Sequence, residues 1–289
     1  MKRYAVIDIG SNTEVLVIYD VFEDMTFRTV KYLSEAVHLV SYIKDGHMEE
    51  EGISRTVETV KNYLKECRVH MVKEVHADIT EPGRNIDNAD ALINAVKEAG
   101  CDSVTLLTGK EEAECDYYGA SSEGHVCSLM MDIGGGSTEF VCSDNGIMKE
   151  AVSIPLGCVR LNRLKKTPDV SLERIEEMRR VFPEFKDTSE MTGIGGTIRA
   201  ARDVCNALYH TGDEIHVMDL EDLYEMLQRN DAAYEKYVEG NVTKDRQPVF
   251  LAGLGMLVAA CRSFKVNTIY VSDYGVREGF LLHHILKAV

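Results

Sequence analysis

Apolar and polar positions alternate along this chain in a way that predicts short buried strands separated by amphipathic helices, laid down twice in the same order. Residues 4–8 (YAVID) read as a buried strand broken by Gly10, and residues 15–19 (VLVIY) resume the β pattern, which predicts a hairpin with a polar tip. Residues 26–40 continue strand-like. Residues 51–67 place Ile53, Val57, Val60 and Leu64 at helical spacing, 69–77 read as a strand, and a loop centres on Pro82 and Gly83. Residues 88–99 predict a helix with Leu92, Ile93 and Val96 inward and Gly100 at its end. A strand at 104–107 and an acid-led helix at 111–119 complete the first pass.

The second pass opens with a strand at 128–132 that runs into a glycine loop, with 139–142 as the return arm. Further on come a charged helix at 171–181, a third glycine turn leading into a helix within 191–202, a helix at 220–237 and an apolar helix at 250–261. A strand at 268–272 and a closing helix at 276–288 finish the chain. The same strand, Asp-Ile-Gly turn and strand thus return 124 positions after Asp8, at Asp132. Architecture repeats while sequence does not. Two similar α/β lobes, residues 1–122 and 123–289, are expected, with the boundary near 120–125, a cleft between them, and the closing helix from about 277 packing back on the first lobe.

At 289 residues and 45% hydrophobic, the chain is long enough for two cores. Its eight Cys stand singly, without Cys-x-x-Cys pairs, and are expected to be reduced and buried. The chain enters a strand almost at once and carries no run of membrane-span length, so a soluble cytoplasmic protein is expected. A formal net charge of −16 argues against nucleic acid or an acidic membrane as partner. It leaves room for a phosphate substrate, because glycine-rich backbone and a divalent cation neutralise phosphate locally.

Glycines let backbone N–H groups approach a phosphate closely, and hydroxyls add donors without like charge. Asp8-Ile9-Gly10-Ser11-Asn12-Thr13 and Asp132-Ile133-Gly134-Gly135-Gly136-Ser137-Thr138 both offer that mixture, with an Asp at each strand end able to hold a cation. One such loop reads equally well as a tight hairpin; two with hydroxyl tails point to a phosphoryl group held between them. On these residues alone kinase, ATPase and phosphatase stay open.

The segments AVIDIGSNT, LLTGKEEAE, LMMDIGGGSTEFV, SIPLGCVRL, TGIGGTIRAA and VSDYGVREG, in this order, resemble the exopolyphosphatase/guanosine pentaphosphate phosphohydrolase (Ppx/GppA) family, within the sugar kinase, Hsp70 and actin superfamily. The resemblance implies two lobes of the actin-like, ribonuclease H-like fold and a magnesium-dependent hydrolase removing the terminal phosphate of polyphosphate. Hydrolysis of a guanosine pentaphosphate-type nucleotide is the alternative it implies. It makes Glu112 the group that positions or deprotonates water, Arg84 a cation facing the transferring phosphoryl, and Asp8, Asp132 and Glu139 the ligands of Mg2+. Gly10, Ser11, Asn12, Thr13, Gly134, Gly135, Gly136, Ser137 and Thr138 would bind phosphoryl oxygens, and Gly195, Gly196 and Thr197 would bracket later phosphates or merely start a helix. Arg277 and Glu278 are expected to anchor the last helix against the second lobe, as structure rather than catalysis. The resemblance also allows a homodimer.

Two positions depart from the family pattern. Val15 stands where many members carry Arg or His, and Glu14 is expected to add negative charge beside the first loop, weakening affinity for long polyphosphate. The C-terminal helical domains of longer members are also expected to be missing. A sugar-kinase-like phosphotransferase and a non-catalytic nucleotide-responsive regulator complete the set of readings.

Overall fold

A computed structural model describes residues 1–124, 126–164 and 168–288. His125, at the edge of the expected lobe boundary, and Val289, at the end of the expected closing helix, lie outside the described residues. The chain divides into two units, Met1–Cys115 with Arg277–Val289, and Asp116–Val276, and the division falls inside the helix Gly109–Glu123.

The first unit is built on a five-stranded sheet in the order Phe27–Ala36, Thr13–Val21, Lys2–Ile9, Glu74–Ile79, Ser103–Leu106. The first three strands form an antiparallel meander and the last two run parallel to Lys2–Ile9. One face of this sheet carries Ala5, Ile7, Ile9, Leu16, Ile18, Val75, Ala77 and Ile79, which pack with Val60, Leu64, Leu92 and Val96 of the helices Glu50–Val69 and Ala89–Ala99. Because side chains alternate along a strand, Asp8 and Asp78 point to the opposite face.

The second unit repeats the plan. Ile147–Ile154, Thr138–Asp144 and Leu129–Ile133 form an antiparallel meander, followed by the parallel strands Glu190–Ile194 and Thr268–Val271, with Glu214–His216 antiparallel at the edge. The apolar helix Gln247–Phe264 has the length and composition of a membrane span, but 72% of it is buried inside the protein. Its Phe264 joins Phe140 and Phe185 in an aromatic cluster covered by the Arg179 guanidinium. All eight Cys are free and buried. Burial pushes the Cys67, Cys101 and Cys205 thiols up to about 12, which leaves little thiolate near neutrality.

Several elements differ from the sequence expectation. The segment around Pro82 and Gly83 is a short helix, Glu81–Arg84, with Pro in the first turn, where its missing N–H costs nothing. The helix expected at 220–237 is two, Val217–Gln228 and Ala232–Asn241. Asn230 takes a positive φ of 56°, and Asp231 then caps the second by accepting from the Ala233 N–H at 2.9 Å. The strand Ile147–Ile154 and the helix Cys158–Leu164 were not anticipated. The closing helix turns into a π-helical segment at Leu281–Ile285. Arg277 and Glu278 anchor in the first unit, not the second: Arg277 pairs with Asp8 at 3.1 Å, and the Tyr19 hydroxyl donates to Glu278 at 2.5 Å.

Glu14 also departs from expectation. It shares the helix-facing side of its strand with Leu16 and Ile18, is fully buried, and neither carboxyl oxygen has a hydrogen bond among the described residues. The Thr56 hydroxyl lies near enough to ease the burial electrostatically but outside hydrogen-bond geometry. Burial therefore pushes the Glu14 carboxyl up to about 7, so much of its charge is absent at neutral pH. The group holds its proton more tightly folded than unfolded, so stability falls as pH rises from about 4.5 through about 7 and is level above. Glu14→Gln should remove this fall: equal to wild type near pH 4, more stable by roughly 2–3 kcal/mol at pH 8. Urea unfolding at the two pH values measures it, and a variant that tracks wild type at both would refute the assignment.

Candidate functional site

The two Asp-Ile-Gly turns have one geometry. In the first, the Gly10 N–H donates to the Thr13 carbonyl at 3.2 Å; in the second, the Gly134 N–H donates to the Ser137 carbonyl at 3.0 Å. Each bond closes a two-residue tip, Ser11-Asn12 in one and Gly135-Gly136 in the other. The four N–H groups of those tips donate to no acceptor among the described residues. The carbonyls of the second tip are turned the other way, accepting from Gly157, Val159 and Arg160 N–H at 2.9–3.3 Å. That close approach requires glycine at 157, where a Cβ would lie 2.5 Å from the Gly135 carbonyl. Each tip therefore presents consecutive backbone donors, the arrangement that binds anions.

The hydroxyls are less available than the sequence suggested. Ser11 is buried and donates to Glu81 at 2.6 Å, while Asn85 donates to the other Glu81 oxygen at 2.9 Å. Thr138 is buried and donates to the Leu156 carbonyl at 2.7 Å, so it fastens the second loop. The Asn12 side chain donates to Thr13 at 3.4 Å and meets the His38 ring at 2.6 Å. Ser137 is buried in the second loop. Backbone, more than side chains, supplies the donors.

Asp132 and Glu139 face each other across the strands Leu129–Ile133 and Thr138–Asp144, and Ser153 donates to Glu139 at 2.6 Å. Asp132 also lies at the N-terminus of the helix Gly195–Tyr209: a Cβ on Gly195 would strike its carboxylate, and Gly195 has φ +85°. Thr197 is buried at the start of the same helix, its hydroxyl beside the Cys158 thiol. The guanidinium of Arg246 lies over Gly196 and makes no hydrogen bond or ion pair among the described residues. Arg246 escaped the sequence reading because a single Arg ahead of an apolar helix carries no spacing signal.

In the first unit, Thr108 and Glu111 form a capping box at the start of the helix Gly109–Glu123. The Thr108 N–H donates to Glu111 at 2.8 Å and the Glu111 N–H to the Thr108 hydroxyl at 3.2 Å. Glu111 does the capping, leaving Glu112 for another task. Glu112 accepts a charge-assisted hydrogen bond from Arg84, which also reaches the Leu107 carbonyl at 3.3 Å. The two residues expected to act together are therefore brought together. Asp8 gives one oxygen to Arg277, and burial raises its pKa although Arg277 opposes that. Asp78 is its register partner on the neighbouring strand, is fully buried, and has no hydrogen bond to either oxygen among the described residues. Burial first, and the Asp8 charge second, push its carboxyl well above the usual range.

Two α/β units of matching topology, each ending its first hairpin in a donor-bearing tip, define a class of duplicated α/β folds. Within it, residues 17–288 match the Ppx/GppA phosphatase family, and the chain belongs to that family. It is 25% identical, over 98% of its own length, to a guanosine-5'-triphosphate,3'-diphosphate pyrophosphatase of Photobacterium profundum. The match covers 59% of that relative, so the chain spans about three-fifths of its length. A solved Ppx/GppA family member from Aquifex aeolicus is 25% identical with TM-score 0.80, covering 99% of this chain and 98% of that one. A solved exopolyphosphatase from Cytophaga hutchinsonii, 23% identical, shares the fold at TM-score 0.84, with 100% of this chain and 99% of that one covered.

The contact between Asp132 and the third glycine turn is testable against Gly212, which has φ +71° and nothing near its Cβ position. Gly212→Ala should cost only backbone strain, about 1 kcal/mol. Gly195→Ala adds displacement of Asp132 and should cost at least about 2 kcal/mol more. Equal losses in urea unfolding would show that Asp132 does not pack on the turn.

Proposed function

We propose that this chain is a magnesium-dependent phosphoanhydride hydrolase that removes the terminal phosphate from inorganic polyphosphate by in-line attack of water. The observation that carries this reading is the pair of hairpin tips, closed by the same hydrogen bond and each leaving two N–H groups without an acceptor among the described residues. In the proposal the tip donors stabilise charge on the oxygens of the transferring phosphoryl.

Glu112 would position the attacking water and draw off its proton, with Arg84 fixing its carboxylate and adding positive charge near the phosphoryl. Asp132 and Glu139 suit a hard cation: two carboxylates on one face of an antiparallel pair, beside the second tip. Bound Mg2+ would supply charge neutralisation for the phosphate oxygens. Gly195, Gly196 and Thr197, with Arg246, would hold phosphates further from the scissile bond.

A second reading, hydrolysis of the guanosine pentaphosphate nucleotide at its 5'-phosphate, is favoured by the name of the Photobacterium relative. Phosphate release from polyphosphate, that nucleotide, and ATP with an acceptor separates the two hydrolase readings from a phosphotransferase. Release from none of them, alongside measurable binding, would leave a regulator.

Glu112→Gln should lower the turnover rate about 100-fold or more, within the range for loss of a positioned base, while changing substrate affinity less than about threefold. A variant that turns over at the wild-type rate would remove Glu112 from the mechanism.

A further inference from the structure

The two loops correspond position by position. Asp8 matches Asp132, Gly10 matches Gly134 and Thr13 matches Ser137, so the position across the ladder from Asp8 is Val15, where the second unit has Glu139. The first unit thus lacks a carboxylate from its return strand. It has one from the other side instead: Asp78, in register with Asp8 on the parallel strand Glu74–Ile79, where the second unit places Ile194 beside Asp132. Each strand-end Asp has one carboxylate neighbour, taken from opposite sides of the sheet.

The other acidic groups around Asp78 have partners. Glu112 is held by Arg84, Glu278 accepts from Tyr19, and Asp8 gives its Oδ2 to Arg277. Asp78 accepts no hydrogen bond among the described residues, although it is fully buried, its register with Asp8 directs it into this cluster, and the Arg277 guanidinium that pairs with Asp8 offsets its charge in part. A proton on Asp78 would neutralise it and let one oxygen donate to the neighbouring Asp8 carboxylate, but would leave its other oxygen without a hydrogen bond. A divalent cation answers the charge and the missing partners together.

We propose that Asp78 and Asp8 form a divalent-cation site of the first unit, taking a hard ion such as Mg2+, with Asp78 as the ligand that no sequence motif marks. Two carboxylates, completed by water and substrate oxygens, are a coordination pattern that suits Mg2+. The site rests on the hydrolase reading only for its purpose: a cation there lies on the strand that leads into the first tip.

The test is Mn2+ binding to the purified full chain without substrate, followed by electron paramagnetic resonance, with the thermal midpoint measured with and without the ion. Wild type should bind Mn2+ and melt higher with it. Asp78→Asn should bind at least tenfold more weakly, lose the ion-induced rise, and melt no lower than wild type in chelator, since a lone buried charge is gone. Asp132→Asn should retain the first-unit site. If Asp78→Asn fails to fold, Asp78→Ser carries the same comparison. Equal binding by wild type and the Asp78 variant overturns the site, as does a higher midpoint in Asp78→Asn with no ion effect in wild type, which would mean that Asp78 holds a proton. The hydrolase reading fails separately, if phosphate release is absent, and its magnesium dependence fails if release survives full chelation.

Discussion

Asp8 and Asp78 lie side by side on adjacent parallel strands, on a face of the first sheet that is closed to solvent, and that juxtaposition has to be compensated for the unit to fold. Like charges this close in a low-dielectric setting repel strongly, and each also loses its hydration. Arg277 supplies the counter-charge to Asp8 from the far end of the chain. This explains why the last turns belong to the first unit although the second unit intervenes in sequence. The Tyr19 hydroxyl on Glu278 then fixes the same helix to the middle strand of the meander. These polar contacts act beside the burial of Phe280 and Leu281 in closing the fold at this point.

The second unit meets a related problem with backbone. Asp132 lies at the start of the helix Gly195–Tyr209, where the unsatisfied N–H groups of the first turn favour a negative charge. Glu139 is bonded by Ser153. Arg246 lies over the same turn, and among the described residues it has no partner. An unpaired guanidinium over a glycine turn is a cost to an empty protein and an advantage to one that binds anions.

The repeated hairpin, the glycine tips and the helical spacing of the first long helix were legible because each is local: a few consecutive residues determine the turn or the stripe. Asp8, Asp132 and Glu139 were legible as carboxylates beside a loop, but their partners were not, since Arg277 and Ser153 come from other segments. Glu14 was misread for the same reason. Being next to a loop in sequence says nothing about the face of the strand, and the alternation with Leu16 and Ile18 sends its side chain under the helix Glu50–Val69. Thr138 and Ser11 look like free hydroxyls in a motif, yet their acceptors, the Leu156 carbonyl and Glu81, are fixed only by tertiary structure. The break at Asn230-Asp231 is legible locally as a turn and cap, but the helical periodicity that runs on either side of it masks the interruption.

The burial of Ser11 against Glu81 bears on how the first tip discriminates among anions. A carboxylate that already accepts the Ser11 hydroxyl sets a negative group beside two outward N–H donors, so a phosphate arriving there meets attraction from the backbone and repulsion from Glu81. In the second tip no carboxylate among the described residues accepts from Gly135 or Gly136, while the carbonyls of both tips are turned toward a later segment, residues 38 and 40 at the first and 157–160 at the second. Glu14 adds little to this asymmetry, because burial raises its carboxyl to about 7, which halves its charge near neutrality, and it lies on the other face. The inhospitable group at the first tip is therefore Glu81, and a cation near Asp8 would reduce its effect. The two tips are alike in backbone and differ in the carboxylates beside them, Glu81 and Asp8 at the first and Asp132 and Glu139 at the second, so the field at each is set by the partners those carboxylates take.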